Sequence, residues 1–211
     1  RTHVIPQGHA GPVTAMPRAD GPLRLTYTGR FYDGVRAPTV FLEAIAELHR
    51  ASPLNGRIAI EFFGSRMEPY AKQAGALGLD TIVRFRSRVS PDQARTVAAA
   101  ADVLLIIDAP SDGPGLFLPS KLIDYLPLEK PILGVTPLNG PAGDLIRELG
   151  YPVVDPRDRA GIVSAVRQLL DAHQSESLTM SPQHRGIAAA YDMRTIAAAF
   201  DQVLIAAVKH A

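Results

Sequence analysis

"DVLLIIDAPSDGPGLFLPSKLIDYLPLEKPILGV", residues 102–135, holds two apolar runs separated by a Gly/Pro-rich loop and a short amphipathic segment. Neither "VLLII" nor "ILGV" alternates polar with apolar residues, which marks strands covered on both faces and therefore a parallel sheet. Between them "DAPSDGPG" breaks regular structure, and "LPSKLIDYL" resumes with helix formers behind Pro119, a residue suited to the first helical turn. The stretch predicts strand, loop, helix and strand, joined by a right-handed crossover. In such sheets ligands lie beyond the carboxyl ends of the strands. The spacing thus sets Ser120, Lys121 and Asp124 on a helix next to the edge where a ligand would be held.

The same alternation extends outward in both directions. "LRLTYTG", "RIAIEFFG", "TIVRFRS" and "YPVVD" are further strand-length runs rich in β-branched or aromatic residues and bounded by turn formers. Helical periods separate them: "APTVFLEAIAELHRA", with Pro38 in its first turn; "PDQARTVAAAA", with Ser90 as N-cap; "PAGDLIRELG", stopping at Gly150; and "DRAGIVSAVRQLLDAH". The pattern predicts an α/β fold: a doubly wound, Rossmann-like parallel sheet of about six strands, with helices on both faces and a helix at the C-terminus. Three regions follow: an N-terminal segment and linker over 1–22, the Rossmann-like domain over 23–174, and a polar loop with a helix or helix pair over 175–211.

A chain of 211 residues with 46% hydrophobic content can bury a substantial core. Its formal charge of +1 carries no basic excess of the kind nucleic-acid binding needs. No apolar run reaches the ~18 residues of a membrane span. The absence of cysteine excludes disulfides and thiolate metal sites and suits a reducing compartment, hence a cytoplasmic location. The six histidines are scattered without metal-ligand spacing, and Asp108 and Asp112 only flank a proline turn, so no metal is expected. Because the sequence opens on Arg1 without initiator methionine, the expectation is a portion of a longer protein.

Chemistry concentrates at the predicted strand ends. In "TGRFYDG" Gly29 lets backbone approach a ligand and Arg30 offers a bidentate grip on phosphate, although a plain surface turn would look the same. After "DGPG", the Ser120 hydroxyl, the Lys121 ammonium and the helix N-terminus together suit a phosphate, with the Asp124 carboxylate reaching a sugar hydroxyl. A solvated crossover helix is the bland alternative. No P-loop or regular dinucleotide fingerprint is present.

"VIPQGHAG", "LRLTYTGRFYDGVRAPTVFLEAIAEL", "RFRSRVSPDQARTVAAAADVLLIIDAP" and "LPSKLIDYLPLEKPILGVTPLNGPAGDLIRELGYPVVDP" resemble, in order and spacing, the C-terminal half of group 1 (family 4) retaining glycosyltransferases. That resemblance implies the two-domain GT-B architecture, with this half binding a nucleotide-diphosphate sugar and an N-terminal half supplying the acceptor site. Any contact with a membrane surface would come through that other half. It implies diphosphate contacts at Gly29, Arg30, Ser120 and Lys121, and a nucleobase loop at Arg88 and Val89. The family's lysine has no equivalent: Val35 stands at its spacing, with Arg36 beside it as the substitute. Asp124 falls at the ribose-binding glutamate. The donor-sugar loop maps to Gly113, Gly115, Leu116 and Phe117, with leucine at 116 where the family carries a glutamate that accepts hydrogen bonds. The implied activity is metal-independent transfer of a sugar to an acceptor. A nucleotide-sugar epimerase of the same architecture and a non-catalytic nucleotide-binding module are the alternatives; a phospho-receiver is disfavoured because "TYTGR" lacks its acidic cluster.

Overall fold

The structure is a computed structural model that describes residues 3–11 and 20–208. Six strands, β1 (Leu23–Thr28), β2 (Ile58–Phe63), β3 (Val83–Arg86), β4 (Val103–Ile107), β5 (Ile132–Val135) and β6 (Val153–Val154), form one sheet in the order β3-β2-β1-β4-β5-β6. Every pairing is parallel. The chain order reverses between β1 and β4, so the loops leaving their carboxyl ends diverge and open a crevice.

β4 shows why the strands are uniformly apolar. Val103, Leu105 and Ile107 face one core cluster, while Leu104 and Ile106 face another. The first is closed by α1 (Thr39–Ala51), α2 (Glu68–Ala76) and α6 (Arg159–Gln174). The second is closed by α3 (Pro91–Ala99), α4 (Ser120–Tyr125), α5 (Pro141–Glu148) and α7 (His184–Ala190). Helices therefore cover both faces, as the apolar pattern predicts. Leu105 is 0% exposed, and truncating such a side chain to alanine costs about 2–5 kcal/mol.

Local chemistry fixes the helix starts around the crevice. Ser90 Oγ accepts from the Gln93 N–H at 3.2 Å, and Gln93 Oε1 accepts from the Ser90 N–H at 3.0 Å. This reciprocal cap begins α3 immediately after Arg88 and Val89. Pro38 and Pro119, expected inside their first turns, instead occupy the N-cap positions of α1 and α4. At Pro119 the backbone is extended, with φ −63° and ψ 129°, a conformation that the ring's fixed φ permits just outside a helix.

α2 is an element that the sequence pattern did not single out: only Tyr70 and Ala74 of it are buried, too few for a visible helical period. The C-terminal region is a helix pair, α7 followed by α8 (Met193–Val208). α7 docks through buried His184 and Ala188. α8 was expected to pack back on the domain, yet none of its residues is buried. Of the predicted N-terminal segment, residues 1–2 and 12–19 lie outside the described residues. His9 is strapped to the α7–α8 junction, its N–H donating to Tyr191 O at 2.8 Å and its carbonyl accepting from the Met193 N–H at 3.1 Å.

Candidate functional site

A cleft of about 760 Å³ opens beyond the carboxyl ends of β1, β2 and β3, between α3 and α4. Gly29, Arg30, Arg36, Arg88, Val89, Ser120, Lys121 and Asp124, drawn from three separate stretches of sequence, all line it.

The β1 end supplies the floor. The Gly29 N–H donates to Phe63 O at 2.8 Å, and Gly29 has φ +147°, a conformation that side chains rarely adopt. A β-carbon there would stand 2.6 Å from Lys121 Nζ. The Gly29 carbonyl in turn leaves no room for a β-carbon on Gly64, so both strand ends need glycine to approach this closely.

Beyond Gly29 the chain forms a tight turn, with the Tyr32 N–H donating to Arg36 O at 2.9 Å and the Arg36 N–H to Tyr32 O at 2.8 Å. This turn brings Arg36 back over the site. Its Nη2 donates to Arg30 O at 3.0 Å and its Nη1 to Asp108 Oδ1 at 3.5 Å. Asp108 is held from its other side by Thr136 Oγ1 at 3.4 Å. Arg36 Nε is buried and has no acceptor among the described residues. The guanidinium carbons of Arg30 and Arg36 each lie 5.1 Å from the Tyr32 ring centroid, within cation–π range.

On α4, Lys121 Nζ sits 3.4 Å from the Tyr27 ring centroid. Burial, and then the Arg36 charge, depress its ammonium well below the usual lysine range, against the opposing pull of Asp108. Asp124, one turn on, has its carboxyl raised by burial, with Arg95 and His9 opposing the shift. α4 has only six residues and no side-chain cap, so its dipole is short and the side chains carry most of the positive charge expected of this helix.

Five basic residues (Arg30, Arg36, Arg88, Arg95, Lys121) and two acidic ones (Asp92, Asp124) line the cleft. Arg95 escaped the sequence analysis. Its signal was its place on α3, where Asp92, Arg95 and Ala98 follow at steps of three and share the face that meets the cleft. Tyr32 and Tyr125, which also line it, were not singled out either.

The loop expected to meet a donor sugar stands apart. Gly115, Leu116 and Phe117 line a smaller hollow of about 150 Å³ with Asp108, Thr136 and Gly140; Gly113 lines neither. Leu116 and Phe117 are 82% and 78% exposed. The loop is tethered: Arg157 donates to Asp112 Oδ1 at 2.7 Å and to Ser111 O at 3.1 Å, and the Gly115 N–H donates to Asn139 O at 2.7 Å. The Arg36–Asp108 pair joins the two hollows, since Arg36 lines the larger and Asp108 the smaller.

Residues 22–172 match the family model described as glycosyl transferases group 1. The chain belongs to this family. Membership bears out the resemblance carried by "TGRFYDG" and "PSKLID". No curated protein matches the chain. Among solved structures, this group 1 chain is similar to sucrose-phosphate synthase from Thermosynechococcus elongatus, with TM-score 0.75 and 19% identity over 100% of this chain and 54% of that one. It is similar to the lipopolysaccharide outer core galactosyltransferase WaaB in its apo form, with TM-score 0.70 and 16% identity over 97% of this chain and 55% of that one. A third similar structure is the pneumococcal O-GlcNAc transferase GtfA in complex with UDP and GlcNAc, with TM-score 0.68 and 13% identity over 96% and 38%. These likenesses are of fold. The chain spans about half or less of the length of these proteins. Among the described residues, no group of three or more His, Cys, Asp or Glu is placed to hold a metal ion, and no helix is long and apolar enough to cross a membrane.

Proposed function

We propose that this chain is the donor-binding half of a retaining GT-B glycosyltransferase, holding a nucleotide-diphosphate sugar for transfer to an acceptor bound by a second domain. The observation that carries this is the convergence of Arg30, Arg36, Lys121 and Asp124 on one cleft at the sheet's switch point, in a chain of the group 1 family.

The diphosphate lies against Gly29, Arg30, Arg36, Ser120 and Lys121. Gly29 removes the side chain that would block backbone approach, and the buried Arg36 Nε supplies a donor with no acceptor among the described residues. Asp124 takes a ribose hydroxyl, and the backbone at Arg88 and Val89 meets the base. The sugar extends past the Arg36–Asp108 pair toward Gly115, Leu116 and Phe117, where leucine at 116 offers apolar contact instead of a hydrogen bond. The UDP of the similar O-GlcNAc transferase complex is a ligand of this class.

Chemically, the sugar–phosphate bond breaks and charge accumulates on the departing nucleotide diphosphate. Preoriented cations in a cleft partly shielded from water stabilise that charge as it grows, without reorganising at the moment of reaction. The excess of basic over acidic residues supports a metal-independent site. Product analysis with the protein carrying this domain and its acceptor half tests the proposal. The expected product is sugar attached to acceptor with its anomeric configuration kept. Return of the donor with an epimerised sugar would contradict it.

A further inference from the structure

The end of β1 and α4 are joined by a hydrogen-bonded contact that neither strand pairing nor apolar packing provides. β1 pairs with β2 as far as Thr28↔Phe63, but with β4 only at Leu25↔Val103 and Thr26↔Leu104. Backbone N–H groups alternate sides along a strand, and Gly29 N–H is used toward β2, bonding Phe63 O. The Thr28 N–H points the opposite way, past the point where β4 pairing stops. It donates instead to the Tyr125 hydroxyl at 3.0 Å, and Thr28 Oγ1 lies 3.1 Å from the same oxygen.

Resting on the donor-site proposal above, we infer that Tyr125 is a positioning residue: its hydroxyl clamps the end of β1 to α4 and sets the spacing between the Gly29–Arg30 backbone and Lys121. Tyr125 is 2% exposed and stands directly after Asp124, one turn beyond Lys121. A phenol that deep is retained only with its polar atom satisfied, and here the partner is a backbone amide. Burial raises its pKa to about 12, so it stays a neutral donor and acceptor across the working range. Besides the Lys121 ammonium over the Tyr27 ring, the Tyr125 contacts with Thr28 are the side-chain hydrogen bonds that join α4 to the β1 end among the described residues. Leu122 and Ile123, the other buried α4 side chains, pack in the same core cluster as the Tyr125 ring, with Leu104 and Ile106, and so fix α4 to the sheet by apolar contact alone. The tolerance is small because Lys121 Nζ already fills the space of the absent Gly29 β-carbon, 2.6 Å from where it would stand. Without the clamp the β1 end could drift from α4, taking the Gly29–Arg30 backbone away from the ammonium while α4 keeps its apolar contacts with Leu104 and Ile106.

The test is Tyr125→Phe in this chain, titrated calorimetrically with UDP, GDP and ADP and with uridine, guanosine and adenosine. The best-bound diphosphate should weaken by about tenfold, the scale of one lost hydrogen bond with its partner left buried, while the matching nucleoside changes by less than about twofold. In the wild-type chain the Thr28 amide should exchange with deuterium as slowly as that of Thr26. In Tyr125→Phe it should exchange faster, with the rest of β1 unchanged. A fast Thr28 amide in the wild type overturns the clamp even if the variant fails to fold. Wild-type diphosphate affinity in a folded Tyr125→Phe also overturns it and leaves the donor site standing. Absence of binding by the wild type itself sinks both.

Discussion

Lys121 fills the space that a side chain on Gly29 would claim: its Nζ lies 2.6 Å from the position of a Gly29 β-carbon and 3.4 Å from the Tyr27 ring centroid. A residue at the end of one strand and a residue on a helix that follows a different strand therefore cannot vary independently. Gly29→Ala should strain a backbone at φ +147° and displace the ammonium. The expected cost is about 1–3 kcal/mol of stability, or a Tm lower by about 3–10 °C, with diphosphate affinity reduced at least about tenfold. Thermal melts and calorimetry of the variant check this; wild-type values for both would contradict it.

Lys121 should be a liability to the empty fold. Because burial and Arg36 depress its pKa, the unfolded chain holds that proton over the window between the depressed folded value and the ordinary one near 10.4. Its destabilising effect is full below the folded value and fades as pH rises through that window. Lys121→Met, which keeps the stem and drops the charge, should therefore raise the Tm at neutral pH, by an amount that shrinks toward pH ~10.4, while losing diphosphate affinity. A lower Tm for the variant at every pH would show that the ammonium's contact with Tyr27 outweighs its burial.

Arg30 and Asp124 should separate by ligand. Arg30→Ala is expected to weaken a nucleoside diphosphate by about 1.5–3 kcal/mol, the scale of charge-assisted hydrogen bonds, and to leave the free nucleoside nearly unchanged. Asp124→Ala should weaken both together, because a ribose is common to both. Calorimetry with paired ligands reads the difference, and an equal loss of both ligands in Arg30→Ala would remove that residue from the phosphate site.

What the sequence disclosed and what it concealed divide along a physical line. The six strands were legible because residues such as Leu104 and Leu105 face opposite cores, leaving no polar positions to blur the apolar runs. Ser90 announced α3 because an N-cap is a local interaction, completed by Gln93 three residues away. α2 stayed hidden because it buries little, and the prolines at 38 and 119 were misplaced by one position because a cap and a first turn suit proline alike. Within the site, Arg30 and Lys121 could be picked out from turn and helix context. Arg95 and Tyr125 could not, because their roles depend on which elements the fold sets beside them: Arg95 reaches Ala10 O at 3.0 Å across 85 residues of sequence, and Tyr125 reaches Thr28 across 97. The exposure of α8 was equally invisible, since "IAAAFDQVLIAAV" reads as a helix that ought to be covered.

A second pH dependence belongs to α7. His184 is fully buried, its Nε2–H donating to Leu126 O at 2.8 Å and its Nδ1 accepting from the Tyr151 hydroxyl at 2.7 Å. Burial lowers its pKa, with Glu129 and Arg185 acting in opposite senses nearby. The unfolded histidine therefore takes up a proton first as pH falls below about 6.5, and stability is lost from there down through the folded value. Glutamine can make both hydrogen bonds without titrating, so His184→Gln should lose less Tm than the wild type between about pH 6.5 and 5. Parallel pH profiles for the two proteins would contradict a neutral buried histidine.

Calorimetric titration of the wild-type chain with UDP, GDP and ADP, each in EDTA, asks whether this cleft holds a nucleoside diphosphate by its own charges. Saturable one-to-one binding of at least one of them is expected, lost in Lys121→Ala. At a ligand concentration of about 100 Kd the same interaction adds about 2.7 kcal/mol of apparent stability, seen as a Tm higher by roughly 5–10 °C. Binding of none of the three, with the protein folded and no shift in Tm at saturating concentration, would contradict a donor site here.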